Sequence, residues 1–286
     1  MSDKYNLFFK LGMGILLFLC AGCSTLQFKS KPYNFKVVGH AYPLITQLKD
    51  VLKNEKLVIF TGDMVFDGCT DWPKFFDTAS VIKKWYIAAG NHDKDILCPD
   101  NYPDTPLFQE FYVNGDQFII LDSVEYNWSI KWEQRDKLIT ALDKPARNRF
   151  IFTHNAIHIN EPEFCLDKVM PTCKKDLNND WLPNSLHGHS ENLTYNYGKF
   201  SIRSSLEASN NIFLFMGDYG NRNNGHNDEI VNGVRYIGAG LSARNKAEES
   251  GYSSIRVSQE GIVSIEHIVM KCDLLDEDRA RISVCD

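Results

Sequence analysis

Apolar and polar positions along this chain switch repeatedly between a two-residue and a 3.6-residue period, so short strands and helices should alternate. Phe35 to Val38 reads as a strand, after which Leu44, Ile45, Leu48, Val51 and Leu52 fall on one helical face. Leu57 to Phe60 is a second strand, Trp72 to Lys83 a helix, and Trp85 to Ala88 a third strand. "FYVNGDQFIIL" predicts a hairpin turning at Asn114-Gly115, a dipeptide that tolerates the positive φ of a tight hairpin turn. Lys131 to Leu142 forms a further helix and Phe150 to Phe152 a strand. From 156 to 200 the periodicity fades into a polar, Asn-rich insert, and strands resume at Asn211 to Met216, Val234 to Ile237, Tyr252 to Val257 and Ile262 to Val269. No internal repeat or low-complexity linker divides the chain, and strand-helix alternation places it in the α/β class.

The strand ends carry the candidate chemistry. In α/β sheets ligands collect at the carboxyl ends of strands, and here each core strand finishes on a polar residue able to bind metal. His40 follows the first, Asp63 the second, Asn91 and His92 the third, His154 the fourth and Asp218 the fifth. Any one of these could be an ordinary turn residue. Together they describe a nitrogen- and oxygen-rich site suited to Mn, Fe, Zn or a similar divalent ion.

Composition narrows the class. The chain has 286 residues, 43% hydrophobic and 12% aromatic, enough to bury a large core. A formal charge of -6 provides no basic field for gathering a phosphate backbone, which argues against nucleic-acid binding by charge. Lys4 and Lys10, the apolar "LGMGILLFLC" and the small pair Ala21-Gly22 before Cys23 resemble a bacterial lipoprotein signal, although Cys20 stands where Leu is usual. That resemblance implies a signal peptide over 1–22, lipidation of Cys23, a tether over 23–34, and an envelope location anchored in the membrane. Ser24 is compatible with passage to the outer membrane, facing the periplasm or the cell surface. In an oxidising compartment disulfides are the default for the remaining six cysteines. Cys165 with Cys173 and Cys272 with Cys285 would each close a short loop, leaving Cys69 with Cys98.

"TGDMVFDG", "AAGNHD" and "FTHNA" resemble the ordered motifs of the calcineurin-like metallophosphoesterases, across roughly residues 35 to 270. The resemblance implies a four-layer sandwich, two mixed β-sheets flanked by α-helices, with 156–200 an insert near the site and 271–286 a tail. It also implies two metal ions bridged by Asp63 and a phosphate ester substrate. Asn91 and His154 become ligands, and His92 the histidine that meets the substrate and assists the leaving oxygen. The family's carboxylate partner for that histidine would fall on Phe66; Asp67 lies one position later and is the candidate here.

Two departures alter the expected metal centre. The opening Asp-x-His motif keeps His40 but has Val38 in place of the aspartate, and the closing Gly-His-x-His is replaced by Asp218 and Gly220 in "LFMGDYGN". One ion would retain Asp63, Asn91, His154 and Asp218, while the other keeps only Asp63 and His40. The expectation is one tightly bound ion, or two of unequal affinity, with His40 serving mainly the phosphate or the attacking water. "LHGHSEN" offers Gly188-His189 as a rival closing motif, but no apolar strand precedes it. His158, His226 and His267 read as structural, and Asp122 as a supporting strand residue. Two functional classes follow: an exported metal-dependent phosphoesterase, or a non-catalytic surface binding or assembly lipoprotein that retains the scaffold. Neither oligomeric state nor the identity of the ester is encoded in these patterns.

Overall fold

The computed structural model describes residues 30–41, 44–65, 68–90, 92–93, 106–124, 132–154, 173–175, 181–183, 202–217, 228–239, 251–270, 272–275 and 282–285. The signal, the lipidation candidate Cys23 and most of the 156–200 insert lie outside these residues. Among the described residues no helix is long and apolar enough to cross a membrane.

Two mixed sheets form the body. In the first, β1 (Tyr33–Val38), β2 (Val58–Phe60) and β3 (Trp85–Ile87) run parallel, and β1 is flanked on its other side by antiparallel β12 (Gly251–Val257) and then β13 (Val263–Val269). The second is built on parallel β5 (Asp116–Leu121), β6 (Arg149–Thr153), β9 (Ile212–Met216) and β11 (Val234–Gly238). Antiparallel β4 (Phe108–Val113) and β10 (Asp228–Val231) close its edges. Two small pairs stand apart from these sheets: β7 (Cys173–Lys175) with β8 (Trp181–Pro183), and β14 (Cys272–Leu275) with β15 (Ile282–Cys285).

Side-chain alternation gives each sheet two apolar faces, as expected of sheets covered on both sides. Phe35, Val37 and Ile59 meet Phe118, Phe150, Phe152 and Phe215 between the sheets. Edge-to-face contacts of Phe35 with Phe118 and Phe150, at 5.0 and 5.1 Å, set the spacing. On the outer face of the first sheet, Val38, Val58 and Phe60 pack with Leu48 and Leu52 of α1 (Leu48–Leu52) and with Trp72 and Phe75 of α2 (Gly68–Ala79). On the outer face of the second, Ile119, Ile151 and Leu214 pack with Leu138 and Leu142 of α3 (Trp132–Leu142) and Leu206 of α4 (Ile202–Glu207). The result is the helix, sheet, sheet, helix sandwich expected from the motifs.

Local differences from the sequence expectation have physical causes. The first apolar helical face is buried at Leu44, Ile45, Leu48 and Leu52, but Leu44 to Gln47 form turns and only Leu48–Leu52 is α-helical. The helix expected over Trp72 to Lys83 instead runs Gly68–Ala79, beginning a turn earlier so that Pro73 lies near its start, where it is tolerated. Asn114 and Gly115 turn the hairpin with φ of 50° and 86°, as the dipeptide requires.

The pole where β1, β5 and β6 begin is fastened by one buried carboxylate. Asp116 is 0% exposed. It accepts the Arg147 guanidinium on both oxygens at 2.8 and 2.6 Å, the Tyr33 hydroxyl at 2.7 Å, and the backbone and side-chain N–H of Asn148. Arg147 also donates to the Gln259 carbonyl at 2.8 Å and to Ser30 Oγ, tying the β12–β13 turn to the same point. Burial, reinforced by the Asp116 charge, raises the Tyr33 hydroxyl far above the usual phenol range and keeps it a donor. Breaking a buried pair by removing one partner typically costs about 3 to 5 kcal/mol. Asp116→Ala is therefore expected to lose stability of about that size in urea unfolding, and a loss under about 1 kcal/mol would show that the network relaxes around the deletion.

Candidate metal centre

The opposite pole gathers the carboxyl ends of β1, β2, β3, β6 and β9, and on the residues that leave those ends sits a second buried carboxylate. Asp63 follows β2 and is 2% exposed. His40 follows β1 and brings Nδ1 to 3.6 Å from Asp63 Oδ2; His154 follows β6 and brings Nε2 to 3.4 Å from Oδ1. The two imidazoles stack with centroids 5.2 Å apart and planes 22° apart. His92, after β3, is the more exposed histidine, its side chain 32% exposed and its Nε2 4.0 Å from Asp63 Oδ2. Its backbone N–H donates to Asp63 Oδ1 at 3.1 Å.

The orientation of His154 follows from one contact. Its Nδ1 lies 2.9 Å from the Thr61 carbonyl, which can only accept, so Nδ1 carries a proton and Nε2 is the nitrogen turned toward Asp63. Metal-ligating histidines are commonly fixed by such a bond. The ligand atoms of His40, Asp63 and His154 all lie within 4.8 Å of one another, and all three residues are buried. A buried carboxylate needs a compensating charge. Among the described residues the ion-pair partners of Asp63 are imidazoles rather than Lys or Arg. This donor set, carboxylate oxygen with imidazole nitrogen, fits a divalent transition metal.

Close backbone approach makes the cluster possible. His40 and Asp63 both take positive φ, 50° and 53°, beside Gly62 at 86°. The His40 N–H donates to the Gly62 carbonyl at 2.9 Å, and the Thr61 N–H to the Val38 carbonyl at 2.8 Å, so the two strand ends stay zipped into the site. A Cβ at Gly90 would run into Asp63 N and Oδ1; one at Gly217 would meet the Thr61 carbonyl and His154 Nδ1. Val38, where the family pattern has aspartate, is fully buried in the helix-side core. Asp122 serves its own loop: it accepts from Val124 N–H at 2.9 Å, while Gln134 bridges its backbone.

Sequence reasoning passed over Asp93, whose carboxylate accepts from the backbone N–H groups of Asp63, Met64 and Gly90 at 2.9, 2.8 and 2.8 Å and of Val65 at 3.2 Å. Burial, together with the Asp63 charge, raises the Asp93 carboxyl above the usual carboxylate range, and the backbone donors pull it back. Its only sequence signal was its place at the end of "AAGNHD". Asn91, Asp67 and Asp218 lie outside the described residues, as do His158, His187, Gly188, His189 and His226. His267 pairs with Ser253 Oγ at 2.9 Å and approaches Asp228 at 3.8 Å, in keeping with a structural histidine.

A sandwich of two mixed sheets with a buried Asp-His cluster at the strand ends is the architecture of a metallophosphoesterase. The family model for calcineurin-like phosphoesterases matches residues 37–205, more than half of the chain, and the protein belongs to this family. Among solved structures, the purple acid phosphatase PPD1 from yellow lupin (Lupinus luteus) seeds is 12% identical with a TM-score of 0.54, covering 84% of this chain and 52% of that one. This chain thus spans about half the length of that relative. A dimetal phosphatase from Danio rerio is 11% identical with a TM-score of 0.53, covering 82% of this chain and 95% of that one. At these identities the likeness speaks to the fold. No curated protein matches the chain significantly.

Because a methyl at Gly90 would strike the Asp63 carboxylate itself, Gly90→Ala is expected to cost on the order of 1–3 kcal/mol of stability and to weaken metal retention. Thermal unfolding with and without Mn checks this. Unchanged stability and metal content would mean that the two loops separate readily.

Proposed function

We propose that the protein is an exported, metal-dependent phosphoesterase that hydrolyses a phosphate mono- or diester at the Asp63 centre, with one divalent ion held more tightly than any second. The observation that carries this reading is the Asp63 carboxylate, buried in the family fold with His154 at one oxygen and His40 at the other. A divalent ion bound there would supply positive charge for the phosphoryl oxygens and acidify a water for attack. The chain's own residues do the rest. His154 is held by Thr61 with a proton on Nδ1, so its Nε2 is the nitrogen that would bind the ion. His92, partly exposed at the rim, is placed to give a proton or hydrogen bond to a leaving oxygen, with Asp67 the candidate partner. His40 is proposed to orient the phosphate or the attacking water, and Asn91 and Asp218 to complete the tighter site with Asp63 and His154.

A second reading is favoured by Val38. An apolar side chain built into the core replaces an expected ligand, as it would in a binding or assembly lipoprotein that retained the scaffold without turnover. Elemental analysis and hydrolysis of an aryl phosphate ester, with and without Mn, separate the two. The expected result is about one tightly held ion per chain, lost in Asp63→Ala and Asp218→Ala, and activity abolished by chelation. His40→Ala should keep most of its metal while turnover falls roughly 10²- to 10⁴-fold. Two tight ions in the wild type, or complete metal loss in His40→Ala, would refute the unequal-ion assignment; metal-free, inactive wild type would favour the scaffold reading.

Export to a bacterial envelope, with Cys23 lipidated and the domain on the outer membrane, is the proposed setting. The antiparallel register of β14 and β15 supports one disulfide by setting Cys272 opposite Cys285. The proposed Cys165–Cys173 bond rests on short sequence spacing and Cys69–Cys98 on elimination, and no cysteine side chain lies among the described ones. The wild type is expected to partition with membranes and Cys23→Ser to be released from them. Mass mapping should find Cys272 and Cys285 joined. Lipid labelling that persists in Cys23→Ser, or free thiols at both positions in the exported protein, would argue against this setting.

A further inference from the structure

We infer that Asp93 is a positioning residue that presets the Asp63 carboxylate before any ion arrives, an inference that rests on the metal-centre reading above. Asp63 has a left-handed backbone, which a non-glycine residue adopts only at a cost. With Gly62 also at positive φ, consecutive N–H groups of Asp63, Met64 and Val65 turn toward one point and form a concave donor nest of the kind that elsewhere receives anions. Here the nest is filled from inside the molecule. Asp93 Oδ1 takes Met64 and Val65, and Oδ2 takes Asp63 and Gly90.

The same carboxylate closes the next loop. Asp93 N–H donates to the Gly90 carbonyl at 3.2 Å while Gly90 N–H donates back to Oδ2, so the turn carrying His92 is locked to the loop carrying Asp63. Asp93 is 1% exposed, leaving no ready solvent replacement for four backbone donors. Both oxygens are needed as acceptors. An asparagine of the same size can offer only one, and its amide hydrogens would face two N–H groups in either flip. Glutamate is longer but keeps two acceptor oxygens and the charge.

This predicts an order of variants that packing volume alone would reverse. In the full-length protein, Asp93→Asn is expected to weaken Mn binding by about 10- to 100-fold, the usual effect of losing a group that orients a ligand. Asp93→Glu should recover most of that loss. Amide hydrogen exchange at Met64 and Val65 provides a readout independent of metal and catalysis: slow in the metal-free wild type, fast in Asp93→Asn and slowed again in Asp93→Glu. Mn affinity unchanged in Asp93→Asn, or Asn outperforming Glu in both readouts, would overturn the assignment. If Asp93→Asn does not fold, fast exchange at Met64 and Val65 in the folded, metal-free wild type would still overturn it, and slow exchange restored in Asp93→Glu would support it. Should the wild type bind no Mn, the metal-centre reading fails while the exchange measurements still judge the anchor.

Discussion

Taking one carboxylate out of water is the constraint to which the rest of this molecule answers. An ionised group with almost no solvent contact carries a desolvation penalty of several kcal/mol, and Asp63 lies on a loop between a strand and a helix. It is accommodated because strand ends from both sheets converge on it, each delivering a residue with a lone pair or a backbone donor. The inter-sheet phenylalanines fix the distance over which that convergence occurs. Glycines at 62, 90 and 217 allow the backbones to close to where the side chains can meet.

The two poles of the sandwich handle burial of negative charge in opposite ways. Asp116 is saturated internally, by a guanidinium, a phenol and an asparagine, and has no use for a ligand. Asp63 is surrounded by imidazoles, groups that can share a cation or change protonation. Equal burial therefore yields a rivet at one end and a candidate metal centre at the other. What separates them is the chemistry of the partners rather than the depth of the carboxylate.

Most of the body was legible in the sequence because strands buried on both faces write continuous apolar runs, as in Val58-Ile59-Phe60 and Phe150-Ile151-Phe152. His40, Asp63, His92 and His154 were legible for the same reason: each follows the end of such a run. β10 was not, since an edge strand of Asp, Glu, Ile and Val with Ile230 exposed carries no clear alternation. Neither β14, β15 nor the short α4 offers a full period to recognise. The clamp between Asp116 and Arg147 joins residues far apart in the chain, and the role of Asp93 depends on a loop some thirty positions earlier. No local pattern could encode either. Asn91, Asp67 and Asp218 were read from motifs and lie beyond the described residues.

The placement of β12 has a consequence for how the chain acquires its structure. β1, the first strand among the described residues, is hydrogen-bonded on one side to β2 and on the other to β12, which follows some two hundred residues later. A chain emerging amino end first thus keeps one edge of its central strand bare until almost all of it has appeared, and the second sheet likewise waits for β9 and β11. Contacts of such long range are formed late and slowly. The sandwich can therefore close only once the last strands arrive, and its two sheets are completed together rather than one after the other.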